Sequence, residues 1–269
     1  MAGKTSIEWT AIHHPDGTVT PGMTWNPVTG CTEVSPGCDY CYARAFAERF
    51  RGVPGHPYEQ GFDVTLWPER LALPLRWKKG RMIFVNSMSD LYHKEVPDAF
   101  ILDVFSTMMQ ATHHIYQVLT KRPSRLVNTS LLPQILERVG GEWPAHIWQG
   151  VSVETQDYAW RVDSLRRVPA PIRFLSAEPL LGPLTLDLTG IAQVITGAES
   201  GHGARPMDDA WVRALRDQCQ SAGASFFFKQ RADARGHKHP LPELDGLVWR
   251  QVPDRAGLGL PSTSHAHTR

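Results

Sequence analysis

With 269 residues, 42% of them hydrophobic, and nine tryptophans, the chain is long enough for one large α/β domain with a sizeable core. A formal net charge of +1 supplies no global basic field of the kind that gathers nucleic acid, although local patches remain open. No apolar stretch is long enough to span a bilayer and no charged leader with an apolar run opens the sequence, so the expectation is a cytoplasmic protein without membrane contact.

In chain order, the first short apolar run is GMTWN (22–26), and a cysteine cluster follows it at once. From residue 80 a pattern repeats: an apolar run, polar residues, then an amphipathic stretch. The runs are RMIFVNSMSD (81–90), HIYQVLTKRP (114–123), HIWQGVSVET (146–155), IRFLSAEPLL (172–181), AQVITGAESG (192–201) and SFFFKQ (225–230). Each has a core of aliphatic and aromatic residues without strict alternation, as a strand buried on both faces of a parallel sheet does. Between them, 97–112 carries Phe100, Ile101, Val104, Phe105, Met108 and Met109 on one helical stripe behind Pro97. The stretch 123–139 is a looser helix, broken by Pro133. The next, 155–168, has Thr155 as its expected N-cap, and 208–223 aligns Trp211, Leu215 and Cys219 and ends at Gly223. The segment between the 172–181 and 192–201 runs is too broken for a helix.

Alternating strands and helices predict right-handed βαβ units. The expected fold class is α/β: a partial, open, parallel β/α barrel of about six to seven strands. It occupies residues 1–230, and 231–269 form an irregular C-terminal extension or cap with a mobile end. Such barrels gather function at the C-terminal ends of their strands. Polar residues fall there in every run: Asn86, Ser87, Ser89 and Asp90; Thr120, Lys121 and Arg122; Ser152 and Glu154; Ser176 and Glu178; Glu199 and Ser200; Lys229 and Gln230.

Three of the four cysteines, Cys31, Cys38 and Cys41, sit in eleven positions as C-x6-C-x2-C. Such crowding without a secretory leader favours a metal site over a disulfide framework. Cys219, on an apolar helical stripe, reads as packing. Zinc would need a fourth ligand, with His56 the nearest downstream histidine. An iron–sulfur cubane would be left with one iron lacking a protein ligand, open to a small molecule. Basic clusters at 76–81, 161–167 and 229–239 leave a third reading, a nucleic-acid-binding protein, although acids elsewhere offset them.

A three-cysteine loop with an aromatic, Tyr40, directly before Cys41, on an incomplete parallel barrel, resembles the radical S-adenosylmethionine (SAM) superfamily. There the usual spacing is C-x3-C-x-aromatic-C; the first gap here holds six residues. TWNPVTGC, GCDYCYA, NSMSDL, LTKRP, GVSVE, FLSAEPLLG, GAESGHGARPM and FFFKQ together resemble a radical-SAM-like family of bacteriophages and bacteria, from about residue 7 to 230. The resemblance implies that Cys31, Cys38 and Cys41 ligate a [4Fe–4S] cluster whose fourth iron chelates SAM, and that Tyr40 packs beside its adenine. The superfamily's Gly-Gly-Glu segment is absent; Asn86, Ser87 and Asp90 stand in its place. Ser152, Glu154 and Glu178 are the implied ribose and carboxylate contacts, and Glu178, Glu199 and Lys121 the catalytic candidates. It further implies an electron donor such as flavodoxin or ferredoxin, and a substrate that is a nucleotide or a nucleic-acid base, whose phosphate Lys121, Arg122, Arg205 and Lys229 would meet. The alternative is an iron–sulfur or zinc-stabilised binding protein without SAM chemistry.

Overall fold

The computed structural model describes residues 2–253 except 15, 200, 202 and 234. Ser200 and the expected mobile end at 261–269 therefore lie outside the described residues.

All seven apolar runs form strands of one nine-stranded sheet. In chain order these are β1 (Ala2–Lys4), β2 (Met23–Trp25), β3 (Met82–Val85), β4 (Ile115–Thr120), β5 (Ile147–Ser152), β6 (Arg173–Ala177), β7 (Gln193–Gly197), β8 (Ser225–Ala232) and β9 (Lys238–Pro240). Spatial order equals chain order. Strands β2 to β8 run parallel, each beside the next. Two antiparallel strands, β1 and β9, form the edges, so the sheet is open and has more strands than the six to seven expected. Both additions are three residues long, and β9 is fully exposed, so neither carries a buried apolar pattern.

The helices are α1 (Tyr42–Glu48), α2 (Asp98–Gln110), α3 (Pro123–Val127), α4 (Leu131–Arg138), α5 (Trp160–Arg166) and α6 (Asp209–Ala222). They pack on the outer face of the sheet, except α1, which packs with the cysteine loop. The loose 123–139 stretch is two helices, and Pro133 is tolerated because it falls in the first turn of α4. Thr155 does not cap α5: a 3₁₀ turn at Gln156–Tyr158 intervenes and the helix starts at Trp160. At α6, Asp208 accepts the Ala210 N–H at 2.8 Å, and Gly223, at φ +69°, ends the helix as expected. Among the described residues no helix is long and apolar enough to cross a membrane.

Strands β3 to β7 bury both faces along nearly their whole length. Ile83, Val85, Tyr116, Val118 and Ile147 pack outward on α2 and α4; Leu175, Val194, Phe226 and Phe228 pack outward on α5 and α6, where Cys219 is fully buried. On the inner face Met82, Phe84, Ile115, Trp148, Phe174, Ile195 and Phe227, drawn from six successive strands, meet Trp9 in one cluster. That gathering requires a curled sheet. The Trp9 ring lies 4.9 Å from Phe84 on β3 and 6.0 Å from Phe174 on β6, closer than the ~14 Å between them that three steps of a flat sheet would impose allows. Trp9 and Val252 plug the open side, and residues 249–251 bond to β8 through Phe228 N–H to Trp249 O and Gln251 N–H to Phe226 O. The extension thus folds back onto the sheet edge.

The apolar plug forms the floor beneath the strands' C-terminal ends. Gly150 on β5 matters here because a Cβ would fall 2.5 Å from the Phe174 ring. Replacing Gly150 with Ala is expected to cost about 1–3 kcal/mol by overpacking, read by denaturant unfolding, and the G150A/F174L pair should recover part of it. An unchanged midpoint for G150A would contradict this packing.

Candidate functional site

The cysteine loop begins where β2 ends. Gly30 has φ +83°, its N–H donates to Met88 O at 3.0 Å, and a Cβ would stand 2.1 Å from the Asp63 carbonyl oxygen. Only glycine turns the chain back so closely over its neighbours. Beyond Cys31 the loop tightens into a 3₁₀ turn at Pro36–Cys38, and Cys41 precedes α1. All three thiols are free, and Cys31 and Cys41 lie against Ala43, Ala47, Tyr58 and Phe62, an apolar backing. Burial pushes the Cys31 thiol up to about 12, with Asp90 adding to the rise and Arg122 opposing it.

Each thiol has a cation in reach. Arg122 Nη2 stands 3.7 Å from Cys31 Sγ. Lys121 is electrostatically coupled to Cys38, and Arg44 to Cys38 and Cys41.

A buried carboxylate holds the loop to the barrel. Glu154, beyond β5, is wholly buried; its Oε1 meets Lys121 Nζ at 3.0 Å and accepts the Ser35 hydroxyl at 3.0 Å, and its Oε2 meets Arg161 Nη1 at 2.9 Å. A Cβ on Gly37 would fall 2.5 Å from Glu154 Cγ, so the loop can press onto this carboxylate only with glycine there. Burial raises the Glu154 pKa, but Lys121 and Arg161 outweigh it and the net shift is downward. A second clamp starts from Glu199, which takes Arg205 in a fork (Nε to Oε2 2.9 Å, Nη2 to Oε1 2.6 Å). Arg205 in turn reaches Asp39 at 3.1 Å and Pro36 O at 2.7 Å, and its guanidinium lies 5.1 Å from the Tyr40 ring centroid.

The 86–90 segment is mostly committed to the fold. Both Asp90 oxygens accept the Thr120 hydroxyl, and they also take the N–H groups of Tyr92 and Lys121 at 3.0 Å each. Ser87 donates to Asn26 Oδ1 at 3.2 Å. Asn86, at φ +59°, keeps its Nδ2 buried without a hydrogen-bond partner. Ser152 is buried at the end of β5, and its carbonyl accepts Arg161 Nη1 at 2.9 Å. Across the mouth, Glu178 Oε1 meets Lys229 Nζ at 3.1 Å and its Oε2 accepts the Ser176 hydroxyl at 3.2 Å. Tyr40 is half-exposed at the rim.

Sequence reasoning missed Tyr42, Ser35, Gly37 and Arg161. Tyr42 donates to Ser87 O at 2.5 Å, and its phenol is electrostatically coupled to Cys41 and Glu178. Burial raises the pKa of that phenol, although 58% of the residue is accessible to solvent. The run CDYCY held the only signal, a second tyrosine beside the last cysteine.

Among the described residues no group of three His, Cys, Asp or Glu side chains, the three cysteines included, is gathered as tightly as one metal ion requires. His56 stacks on Phe50 at 3.9 Å and accepts the Tyr58 N–H at 3.2 Å. A shallow hollow of about 320 Å³ on the loop's flank is lined by Glu33, Val34, Ser35, Pro36, Asp39 and Tyr158, and no thiol enters it.

Against this geometry the comparisons can be set. The family model described as protein of unknown function (DUF5131) matches residues 4–253, and the chain belongs to that family. No curated protein matches. Among solved structures, the chain is similar to spore photoproduct lyase complexed with dinucleoside spore photoproduct, at 10% identity, a TM-score of 0.41, and 71% of this chain against 58% of that one. It is likewise similar to a double mutant of that lyase with bound AdoMet and dinucleoside spore photoproduct, at 9% identity, a TM-score of 0.42, and 80% of this chain against 64% of that one. The chain thus aligns with only about three-fifths of these structures' length.

Replacing Glu154 with Gln should leave Lys121 and Arg161 uncompensated and cost about 3–5 kcal/mol. Because the folded Glu154 pKa is lowered, its stabilisation is complete above the unfolded value of 4.5 and is lost as pH falls through the lower folded value. Acid unfolding should therefore show a shallower slope below pH 4.5 in E154Q than in the wild type; equal slopes would contradict the role of this carboxylate.

Proposed function

We propose that the chain is a radical SAM enzyme in which Cys31, Cys38 and Cys41 hold a [4Fe–4S] cluster and the substrate is a nucleotide or a nucleic-acid base. The donor set carries this reading: three free thiols from one loop at the mouth of a curled parallel sheet, each beside a cation, with the fourth cysteine sealed in the core. Three soft donors suit iron–sulfur chemistry and leave a coordination position for a small molecule. The unpartnered Asn86 Nδ2 is a buried donor left for a bound group.

The cluster and SAM, when bound, supply one-electron reductive cleavage and hydrogen abstraction. The chain's own part is to hold and shield. Ala43, Ala47, Tyr58 and Phe62 keep water from the cluster side of the loop. Glu154 and Arg205 fix the loop to the strand ends, so the thiols keep their spacing. Tyr42 and Ser87 wall one side of the mouth, and Glu178 with Lys229 and Ser176 offers a paired acceptor and donor on the other. Lys121, Glu199 and Asp90 are positioning groups in this scheme, since their polar atoms are taken up by protein partners. Flavodoxin or ferredoxin is the class of electron donor.

The test is anaerobic reconstitution of the full chain. About four irons with matching sulfide per chain, and an EPR signal of the reduced cluster altered by SAM, are expected, with release of 5′-deoxyadenosine. Alanine at Cys31, Cys38 or Cys41 should each lose most of the iron, whereas C219A should keep it. Zinc in place of iron would overturn the proposal, and iron without any response to SAM would reduce the protein to a cluster carrier.

A further inference from the structure

We infer that Arg122 is a tuning residue: its guanidinium, bonded to the Cys31 sulfur, raises the one-electron reduction potential of the group that the three cysteines hold. The inference rests on the cluster reading above and adds a role that no motif of the sequence assigns.

The geometry is that of a built contact. Arg122 Nη2 approaches Cys31 Sγ at 3.7 Å while the same nitrogen donates to the Thr32 carbonyl and hydroxyl oxygens, both at 2.8 Å. The Thr32 hydroxyl is held from its other side by His93 Nε2 at 2.8 Å. His93 Nδ1 accepts the Glu95 N–H at 3.2 Å, which leaves the ring proton on Nε2 and makes Thr32 Oγ1 the acceptor. His93 is fully buried, so the buttress is fixed. Arg122 is further anchored by its backbone N–H, which donates to Thr120 Oγ1 at 2.8 Å.

Charge separates Arg122 from the other two cations at the thiols. Lys121 is neutralised by Glu154 and Arg44 by Glu33. Among the described residues Arg122 has no carboxylate at ion-pair distance, so its positive charge is spent on the sulfur and on neutral oxygens. Reduction of a cluster adds negative charge that its ligand sulfurs share. A cationic N–H at a ligand sulfur therefore favours the reduced form, since net charge and hydrogen bonds to sulfur set cluster potentials.

The test is a redox titration of the anaerobically reconstituted full chain, followed by EPR and made before any SAM is added. Wild type, R122Q and R122K are compared, with iron content measured on each. In R122Q the reduction equilibrium constant is expected to fall about tenfold, which for one electron is about 59 mV more negative. R122K should recover part of the loss, because the ammonium keeps the charge without the fork. Should R122Q fail to hold iron, T32V removes the anchoring hydroxyl alone, and a smaller drop of the same sign is expected. Iron-loaded variants, R122Q or T32V, with the wild-type potential would overturn the inference while leaving the cluster reading intact. A wild-type chain that takes up no iron would overturn that reading instead.

Discussion

The site depends on one buried carboxylate. Glu154 is the point at which the loop carrying the thiols, the end of β4 and helix α5 meet, through Ser35, Lys121 and Arg161. A wholly buried glutamate would ordinarily bind a proton to escape the cost of desolvation. Two cations reverse that preference, and the negative charge then becomes the more stable state. The arrangement is a three-way tie rather than a simple pair. Removing Glu154 leaves two cations uncompensated, one of them wholly buried, whereas removing either cation still leaves an ion pair.

Three strand ends, not one, hold the cysteine loop. Glu154 grips it from β5, Arg122 from β4, and the Glu199–Arg205 fork from the segment after β7. Parallel strands of a curled sheet bring these ends around a common mouth, which is why residues over 160 positions apart, Arg205 and Asp39, form an ion pair. Glycine allows each close approach: Gly30 against Asp63, Gly37 against Glu154, and Gly197 against Glu178, where a Cβ would fall 2.9 Å from Oε1. The loop's shape is thus imposed by its surroundings more than by its own hydrogen bonds.

Much of the architecture was legible because burial on both faces writes itself into a strand as an unbroken apolar run. Ile115–Thr120 and Gln193–Gly197 are such runs, and both formed as expected. The edge strands Ala2–Lys4 and Lys238–Pro240 gave no such signal, and their pairing is decided by what lies beside them. Thr155 failed as a cap because the chain spends a 3₁₀ turn before α5, a choice that backbone packing makes and side-chain type does not reveal. In the site, the polar residues at strand ends could be enumerated, but not their partners. Asp90 stood as a cofactor contact and Glu199 as a catalytic candidate, and each is engaged by several protein donors. Pairing between distant loops has no periodicity, so a single sequence cannot display it.

That pairing also bears on what the mouth can recognise. Four cations lie at the rim, and each was a candidate for phosphate. Lys121 faces Glu154, Arg205 faces Glu199 and Asp39, and Lys229 faces Glu178; Arg122 alone lacks a carboxylate partner among the described residues, and it is turned to Cys31. Affinity for a polynucleotide backbone grows with the number of phosphates that free cations neutralise. With three of the four rim cations paired to carboxylates, the rim supplies little of that term. On the reading proposed above, the paired Glu178 and Lys229 suit the polar edge of a base better than a phosphate track.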